Sequence, residues 1–398
     1  MSAFDYAGIP VPDYFRRGKN EITFVPKNES LGSLTLPGAQ EISLLVDRIE
    51  LIEYLFRLAE EKGVNIHYGE AVEKPILLGN RVVGIKTAKG DYYADLVIDA
   101  CGVNSPLRTA LPDYMQVNRP IDKYDVIYSY RGYFNRLPDT PQPETLYNIY
   151  FKDDGNIGFS WLVTEFDRVD ALVCRFHKPD ESELSAALNT LHEENEHMGL
   201  ELVYGGSHGI IPVCQPLSLL VADGYAAVGD SAFMTVALKG SGLAYSIKAG
   251  KLLADAVIAD TNSCYSQETL WEYEKSFFKE IGFSAGGIAV LKNMLPFMTA
   301  EDVNKLFEMK LVTTEELSAL WESKADFVFN SKTVSAVKEK IRLVKNEPML
   351  KELFGSLALW LTKYAVIQAS FPNKYDKKDV YEWAEKYNKF FDSIKKKD

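Results

Sequence analysis

The sequence predicts an α/β protein that carries a second, mostly antiparallel sheet and ends in a helical region. Three observations predict it. Two apolar strand-like runs, Leu96–Ala100 and Tyr225–Val228, each end in a polar loop that contains glycine. Between residues 120 and 215, apolar and polar residues partly alternate at the period of a half-buried strand. After residue 265 the pattern is largely helical, with Pro296, Pro348 and Pro372 as breaks.

Taken in order, residues 1–40 are punctuated by Pro10, Pro12, Pro26 and Pro37 and by Gly8, Gly18, Gly32 and Gly38. That spacing allows only loops and short strands. Asp47 then caps a helix, with Glu50 as its capping-box partner. Ile49, Ile52, Leu55, Phe56 and Ala59 give that helix its apolar stripe, and Gly63 stops it. A strand is expected at Val64–Tyr68, followed by strand-like runs at Pro75–Leu78, Arg81–Thr87 and Tyr92–Ala100. Gly79-Asn80 and Gly90-Asp91 supply the turns between these runs. The alternating region contains Val126–Phe134, Leu146–Phe151, Ile157–Val163 and Ala171–Phe176, with a turn at Asp153–Asn156 and one helix, Glu181–His197. The last α/β element is a helix from about Gly242 to Ala259, where Leu243, Ile247, Gly250, Ala254 and Val257 form one stripe.

The chain has 398 residues, enough for two or three domains at roughly 150 residues each. Hydrophobic residues make up 46% and charged residues 25%, which excludes disorder, collagen and coiled coil as descriptions of the whole chain. The formal net charge of −12 argues against a nucleic-acid partner, because a negative field repels phosphates. The basic end at Lys395, Lys396 and Lys397 is too short to reverse that argument. Cys101, Cys174, Cys214 and Cys264 form no CxxC pair, so they read as reduced, mostly buried thiols, and no metal site is expected. No signal peptide or transmembrane segment is expected, and the compartment that fits is the cytoplasm. The longest apolar stretch, Leu353–Phe371, is interrupted by Lys363 and Gln368 and reads as a core or surface helix.

Two motifs carry chemistry. The first runs Asp95-Leu-Val-Ile-Asp99-Ala-Cys101-Gly102-Val-Asn104-Ser105-Pro-Leu-Arg108: a buried strand delivers a glycine turn at its carboxyl end, where open α/β sheets bind ligands. The second runs from Gly224 through Gly229-Asp230-Ser231-Ala232 to Lys239-Gly240-Ser241-Gly242, where a glycine-rich turn opens a helix and leaves N–H groups for an electron-rich ligand. Taken together, Val97–Arg108 and Gly229–Ala254 resemble the flavoprotein family of geranylgeranyl reductases and aromatic-ring hydroxylases. Arg48, in Val-Asp-Arg before a helix, is similar to that family's flavin-contacting arginine.

The resemblance covers roughly residues 40–260. It implies a Rossmann-like, hydroxylase-type FAD-binding domain from residues 1–118 and 216–262, incomplete at its N-terminus. It also implies an antiparallel-sheet substrate domain at 119–215 and a helical region at 263–398. FAD is the implied cofactor, with NAD(P)H or another donor supplying electrons. Arg48 would face the flavin and its pyrophosphate, and Val72 the adenine through its backbone. Gly102 would sit in the middle motif, and Gly229 and Asp230 by the ribityl and pyrophosphate. Gly240, Ser241 and Gly242 would present amides to the isoalloxazine. Phe159 and Trp161 are similar to the family's aromatic substrate wall, though sheet core explains them equally well. His208 is the best-placed histidine for acid chemistry, and Cys101 stands where the family has aspartate.

Residues 1–46 contain no GxGxxG. That unit supplies amides and a helix dipole to the pyrophosphate, so its absence predicts weak or no FAD binding by the chain as written. It also predicts a vacant position beside strand Leu96–Ala100, and points either to a start lying further upstream or to a relative that has lost flavin. The resemblance implies flavin-mediated hydride or electron transfer to or from a small apolar, isoprenoid-type substrate, and contact with a membrane surface is compatible with such a substrate. The alternatives are a monooxygenase or halogenase-like enzyme, and a non-catalytic relative that binds a partner or lipid.

Overall fold

The computed structural model describes residues 3–18, 22–26, 28–36, 43–45, 47–138, 147–151, 158–165, 167–322 and 331–396. The chain begins with α1 (Ala3–Ala7), β1 (Arg16–Gly18), β2 (Ile22–Pro26), β3 (Leu34–Leu36) and β4 (Ser43–Leu45). Helix α2 (Arg48–Glu61) follows, and the Asp47 side chain accepts from the amides of Ile49 and Glu50. A meander, β5 (Val72–Leu78), β6 (Arg81–Thr87) and β7 (Gly90–Tyr93), leads to β8 (Val97–Asp99) and α3 (Pro106–Ala110). Next come β9 (Val126–Arg136), β10 (Tyr147–Phe151), β11 (Gly158–Thr164), β12 (Arg168–Arg175), α4 (Glu181–Glu194) and β13 (Met198–Pro212). A hairpin, β14 (Val221–Ala222) and β15 (Tyr225–Ala227), then opens into α5 (Leu243–Ala259). The chain ends in α6 (Trp271–Phe277), α7 (Phe283–Lys292), α8 (Ala300–Glu308), α9 (Thr314–Glu322), α10 (Ser331–Leu343), α11 (Pro348–Ala369) and α12 (Lys377–Ile394). The turn expected at Asp153–Asn156 lies outside the described residues.

The largest sheet has seven strands in the order β13-β9-β12-β11-β10-β2-β3. Every pair is antiparallel except β10 with β2. The entry of β2 and β3 into this sheet departs from the expected boundary, which placed residues 1–118 with the other α/β strands. The apolar alternation of Ile22 and Phe24, both buried with Leu36 and Ile149, draws this segment onto the far edge of the sheet. On the back of the sheet, Phe134, Leu162, Val169, Ala171 and Val173 are buried beneath Leu184, Leu188 and Leu191 of α4. Each such side chain contributes roughly 1.5–3 kcal/mol by leaving water.

The second sheet is small: β14-β15-β8, with β15 and β8 parallel. The meander β5-β6-β7 is a separate sheet that joins it edgewise, through Val82 N–H to Asp223 O (2.9 Å) and Arg81 to Asp95 O (2.7 Å). Gly224 makes this junction possible: its φ is +73°, and a Cβ there would lie 2.1 Å from the carbonyl oxygen of Val82. Among the described residues no strand pairs with the outer edge of β8, and residues 3–18, 22–26 and 28–36 do not run along it. Ile98 in the middle of β8 is 52% exposed, whereas Val97 and Asp99 are buried.

Residues 64–68, expected as a strand, are not one; Val64 and Tyr68 are exposed, and the Val64 amide donates to Ala59 O at the end of α2 (3.1 Å) rather than to another strand. The helical region packs through clustered aromatic rings set mostly edge-to-face, Phe278, Phe371, Trp383 and Tyr387 among them. Its far end is tied back to the start of the seven-stranded sheet: Lys395 donates to Asp125 (2.6 Å) and Asp122 (2.5 Å). Among the described residues no single helix is long and apolar enough to cross a membrane. One pair, Trp271–Phe297 with Ala300–Glu308, matches in length and composition but is bent by 118°.

Candidate cofactor and substrate site

Strand β8 ends at Asp99, whose side chain is completely buried. A buried carboxyl needs partners, and Asp99 has four. Oδ1 accepts from the Cys101 amide (2.9 Å) and Ser231 Oγ (2.9 Å); Oδ2 accepts from Ser105 Oγ (2.5 Å) and Tyr225 OH (2.7 Å). Ser231 Oγ in turn accepts from the Gly102 amide (2.9 Å). Ser105 also caps α3, accepting from the amides of Leu107 and Arg108. Arg108, equally buried, donates to Ser231 O and Val103 O (both 2.6 Å) and lies over the Phe233 ring. The loop after β8 and the loop after β15 are therefore bolted together through buried polar bonds. Burial, then Asp99, drives the Tyr225 phenol well above its ordinary pKa.

The second loop continues to the start of α5. Asp230 Oδ1 accepts from Thr235 Oγ1 (2.7 Å), and a Cβ at Gly242 would lie 2.7 Å from that hydroxyl. Val236 bridges to Ser241, and the amides of Lys239 and Gly240 both reach Val236 O. No side chain caps α5 at Gly242, which leaves its first-turn amides to backbone carbonyls, solvent or a ligand. Burial pushes the Lys239 ammonium down to about 8.

FAD is the group these loops are expected to hold, and the space fits it on this side. A Cβ at Gly102 would meet nothing within 4 Å, and one at Gly240 would meet only Ile211 Cγ2 at 4.0 Å. Both glycines have positive φ, so backbone rather than side chain borders the opening.

Ile211 links this opening to the front of the seven-stranded sheet. It pairs with Ile127, which alternates onto the same face as Ser129, Arg131 and Tyr133. Register extends that face through Asp170, Leu172 and Trp161. At one end Phe159 and Trp161 pack with Ile149, Phe24 and, from the helical region, Phe307 and Leu317. At the other end Arg131 donates two bonds to Asp170 (2.8 and 2.5 Å) and lies over the rings of Tyr133 and Trp161. Arg168 covers Tyr133 and Tyr204, which stack 4.4 Å apart. Arg48 also faces this end: burial and then Arg131 lower its pKa, more strongly than Tyr133 and Asp170 raise it.

The structure thus brings Gly102, Gly229, Asp230, Gly240, Ser241 and Gly242 to two joined loops. It places Phe159 and Trp161 on the face next to them. Arg48 begins α2, exposed and within electrostatic reach of the cationic end of that face, and Val72 begins β5; no described hydrogen bond ties either to the joined loops. Asp99, Ser105, Arg108, Tyr225 and Ser231 were given no role from sequence, although all five lie within the two quoted motifs. Arg131, Arg168 and Asp170 were missed entirely. Their signal was an alternation of charges on two strands whose pairing only the fold reveals. Cys101 and Cys264 are exposed rather than buried, since both sit in loops. Partial burial and Asp99 push the Cys101 thiol up to about 12, which opposes a nucleophilic role. His208 is exposed on β13, edge-on to Tyr130.

Known proteins share these features. The sequence pattern of the DAO family, described as FAD dependent oxidoreductase, matches residues 42–256. A digeranylgeranylglycerophospholipid reductase of Sulfolobus acidocaldarius is 21% identical over 270 residues, 65% of this chain and 59% of that one. The chain therefore spans less than two thirds of that relative's length. A reductase of the same description from Haloferax volcanii is 23% identical over 66% of this chain and 67% of its own. Among solved structures, a geranylgeranyl bacteriochlorophyll reductase-like protein from Thermoplasma acidophilum superposes with a TM-score of 0.69 at 19% identity. That match covers 86% of this chain and 88% of the other. A myxobacterial FAD-dependent chondrochloren halogenase superposes with a TM-score of 0.56 at 16% identity, covering 87% and 82%. These two likenesses show a shared hydroxylase-type fold. With the family pattern spanning more than half of its residues, the chain belongs to the FAD-dependent oxidoreductases.

Proposed function

We propose that this chain works as an FAD-dependent reductase on an apolar, isoprenoid-bearing substrate. The observation that carries the reading is that the turns at Gly102 and Gly240 are each unobstructed, that the Asp99 network bolts their loops together, and that the Gly240 turn borders Ile211 of the apolar sheet face. Bound there, FAD supplies hydride or electron transfer, with NAD(P)H or another donor restoring it. The chain's own residues bind and orient. Asp230 offers to hydroxyl donors the carboxyl oxygen that Thr235 leaves unused. The amides around Gly240, Ser241 and Gly242 favour an electron-rich edge. Lys239, held near 8 by burial, adds a positive charge beside them below that pH. Phe159 and Trp161 exclude water from an apolar chain laid along the sheet. The reductase-named relatives support the substrate class.

The test is a titration with FAD, followed by flavin fluorescence and the visible spectrum before and after gel filtration. The expected result is saturable but weak binding, lost on the column, because residues 1–46 carry no GxGxxG to cradle the pyrophosphate. Asp230→Ala weakens it further, by at least tenfold, the loss of about one charge-assisted bond. No spectral change at any FAD concentration sinks the cofactor site. Stoichiometric flavin retained through the column overturns the weak-binding expectation and points to a phosphate site within residues 1–46.

A further inference from the structure

A pocket of about 180 Å³ lies apart from the joined loops and from the front of the large sheet, none of whose residues line it. It opens where the segment leading into β9 meets α12 and the chain just before β14. Its floor is buried: Arg119 is 8% exposed, and Leu217 and Ser218 less. Its mouth is marked by Asp122 and Asp392, whose side chains are largely in solvent. The charges are already answered in pairs: Arg119 donates to Asp392 (2.8 Å), and Lys395 to Asp122 (2.5 Å). The uncharged polar groups are not used up. Arg119 donates to Asn388 Oδ1 (2.8 Å), and Asn388 passes one N–H to Ser218 Oγ (2.9 Å). The Ser218 hydroxyl proton and the second Asn388 N–H remain to give. Asn118 spends its amide N–H groups on Leu111 O (3.0 Å) and Asp113 (3.5 Å). Among the described residues, its carbonyl oxygen and the Gln116 side chain meet no partner, and the buried Arg119 Nε has no acceptor. Buried polar groups are ordinarily paired, so an open set beside a cavity is one that a bound molecule completes.

We propose that this pocket binds a small, neutral, hydroxyl-rich molecule, a free polyol of three or four carbons, and that its occupancy steadies the loop that holds Asp230. Charge selects against the other classes: an anion would lie against Asp122 and Asp392, and a cation against Arg119. Each hydroxyl both gives and accepts a hydrogen bond, which suits a wall of unspent donors and acceptors. Size sets the scale: at roughly 30 Å³ per water the volume is that of about six waters, enough for glycerol or erythritol. The effect on the loop runs through backbone. The Leu217 amide donates to Ala232 O (3.1 Å), and Tyr387 of α12 donates to Pro216 O (3.3 Å). Residues 216–218 are thus held between the pocket and the loop Gly229–Ala232, and a ligand that restrains one side restrains the other. The proposal does not depend on bound flavin.

Erythritol is the probe, with glycine, sulfate and 1-butanol as a zwitterion, an anion and a single-hydroxyl alcohol for comparison. Saturation-transfer NMR reads binding, and hydrogen exchange reads the loop. Melting temperature is not the readout, because polyols excluded from protein surfaces raise it without saturating. Erythritol is expected to give a saturable signal at roughly 1–10 mM, the affinity of a few net hydrogen bonds, with each comparator at least tenfold weaker. Gln116→Gly removes one side of the wall and suits the backbone there, whose φ is +55°; Ser218→Ala removes a hydroxyl. Each weakens erythritol at least threefold. Melting without ligand checks that both fold, and Gln116→Gly keeps the test where Ser218→Ala unfolds. With erythritol bound, exchange at the Leu217 amide slows at least twofold, and at the same concentration it does not slow in Gln116→Gly. A signal that never saturates, or one unchanged in Gln116→Gly, overturns the site. A comparator that binds as tightly as erythritol overturns the ligand class. Saturable binding with unaltered exchange at Leu217 overturns the coupling to the loop.

Discussion

The two main sheets of this protein are both buried against apolar cores but differ in what fixes their loops. The seven-stranded sheet is held by apolar burial: α4 covers one face, and the helical region closes part of the other. The sheet β14-β15-β8 has three short strands and, at β8, an edge with which no described residue pairs and where Ile98 stays half exposed. Its strands also lie in the largest apolar core, through Val97, Val221, Tyr225, Ala226 and Ala227, and what sets it apart is an added polar frame: the Asp99 network in front, and behind it α6, where Glu274 accepts from the Leu220 amide and Tyr273 donates to Ala227 O. The difference teaches where function sits. A sheet set by buried hydrogen bonds holds its loops in one register, which is what a cofactor opening between them requires.

The largest expected effect strikes the first sheet. Val169→Asp places a carboxylate beneath α4 at a position with no exposure, and urea unfolding should show a loss of about 4 kcal/mol or more. Asp99→Ala tests whether the second sheet truly depends on polar bonds. It strands Ser105, Ser231 and Tyr225 together, and a loss of about 3 kcal/mol is expected, with loss of FAD response. A loss under about 1 kcal/mol would break the comparison.

Glu274 sharpens it by pH. Burial raises its pKa to about 8 from the ordinary 4.5, so the folded state holds a proton that the unfolded state has released. That contribution is fully present below pH 4.5 and is lost as pH rises toward 8, at on the order of 1 kcal/mol per pH unit. Melting curves across this range should slope downward in the wild type, and Glu274→Gln should flatten the slope. Buried Lys292, lowered to about 8 from 10.5, acts the other way only above pH 8, so the two windows separate cleanly. The smallest effect is expected at the open edge: Ile98→Asp should change stability by no more than about 1 kcal/mol, because half of its side chain is already in water. A larger loss would show that the edge is covered in solution.

Much of the site was legible because its signals are local. Asp47 capping α2, the stripe of α5, and the glycines that end β8 and β15 each sit within a few residues of what they specify. What stayed hidden depends on partners distant in sequence. Nothing near Ile22–Pro26 announces a parallel pairing with Tyr147–Phe151. Val64–Tyr68 has strand-like composition, yet a strand exists only where another backbone meets it. Asp99 finds Tyr225 and Ser231 across 126 and 132 positions. Arg131 and Asp170 meet because two strands pair in one register of several that their alternation allows.

The Lys395 tie has a consequence for the order of synthesis. Asp125, only 2% exposed in the finished protein, leaves the ribosome 270 positions ahead of the ammonium that neutralises it. Until α12 emerges, the turn before β9 holds a carboxylate whose nearest other cation is Lys292, bonded to Tyr124 O rather than to the carboxylate, and that corner lacks its direct ion pair. Closure at that corner is thereby deferred until α12 has been translated. A chain ending at Ile394 should remain in the pre-release state, with fast hydrogen exchange at residues 122–126; full protection there would show that the corner closes without its latch.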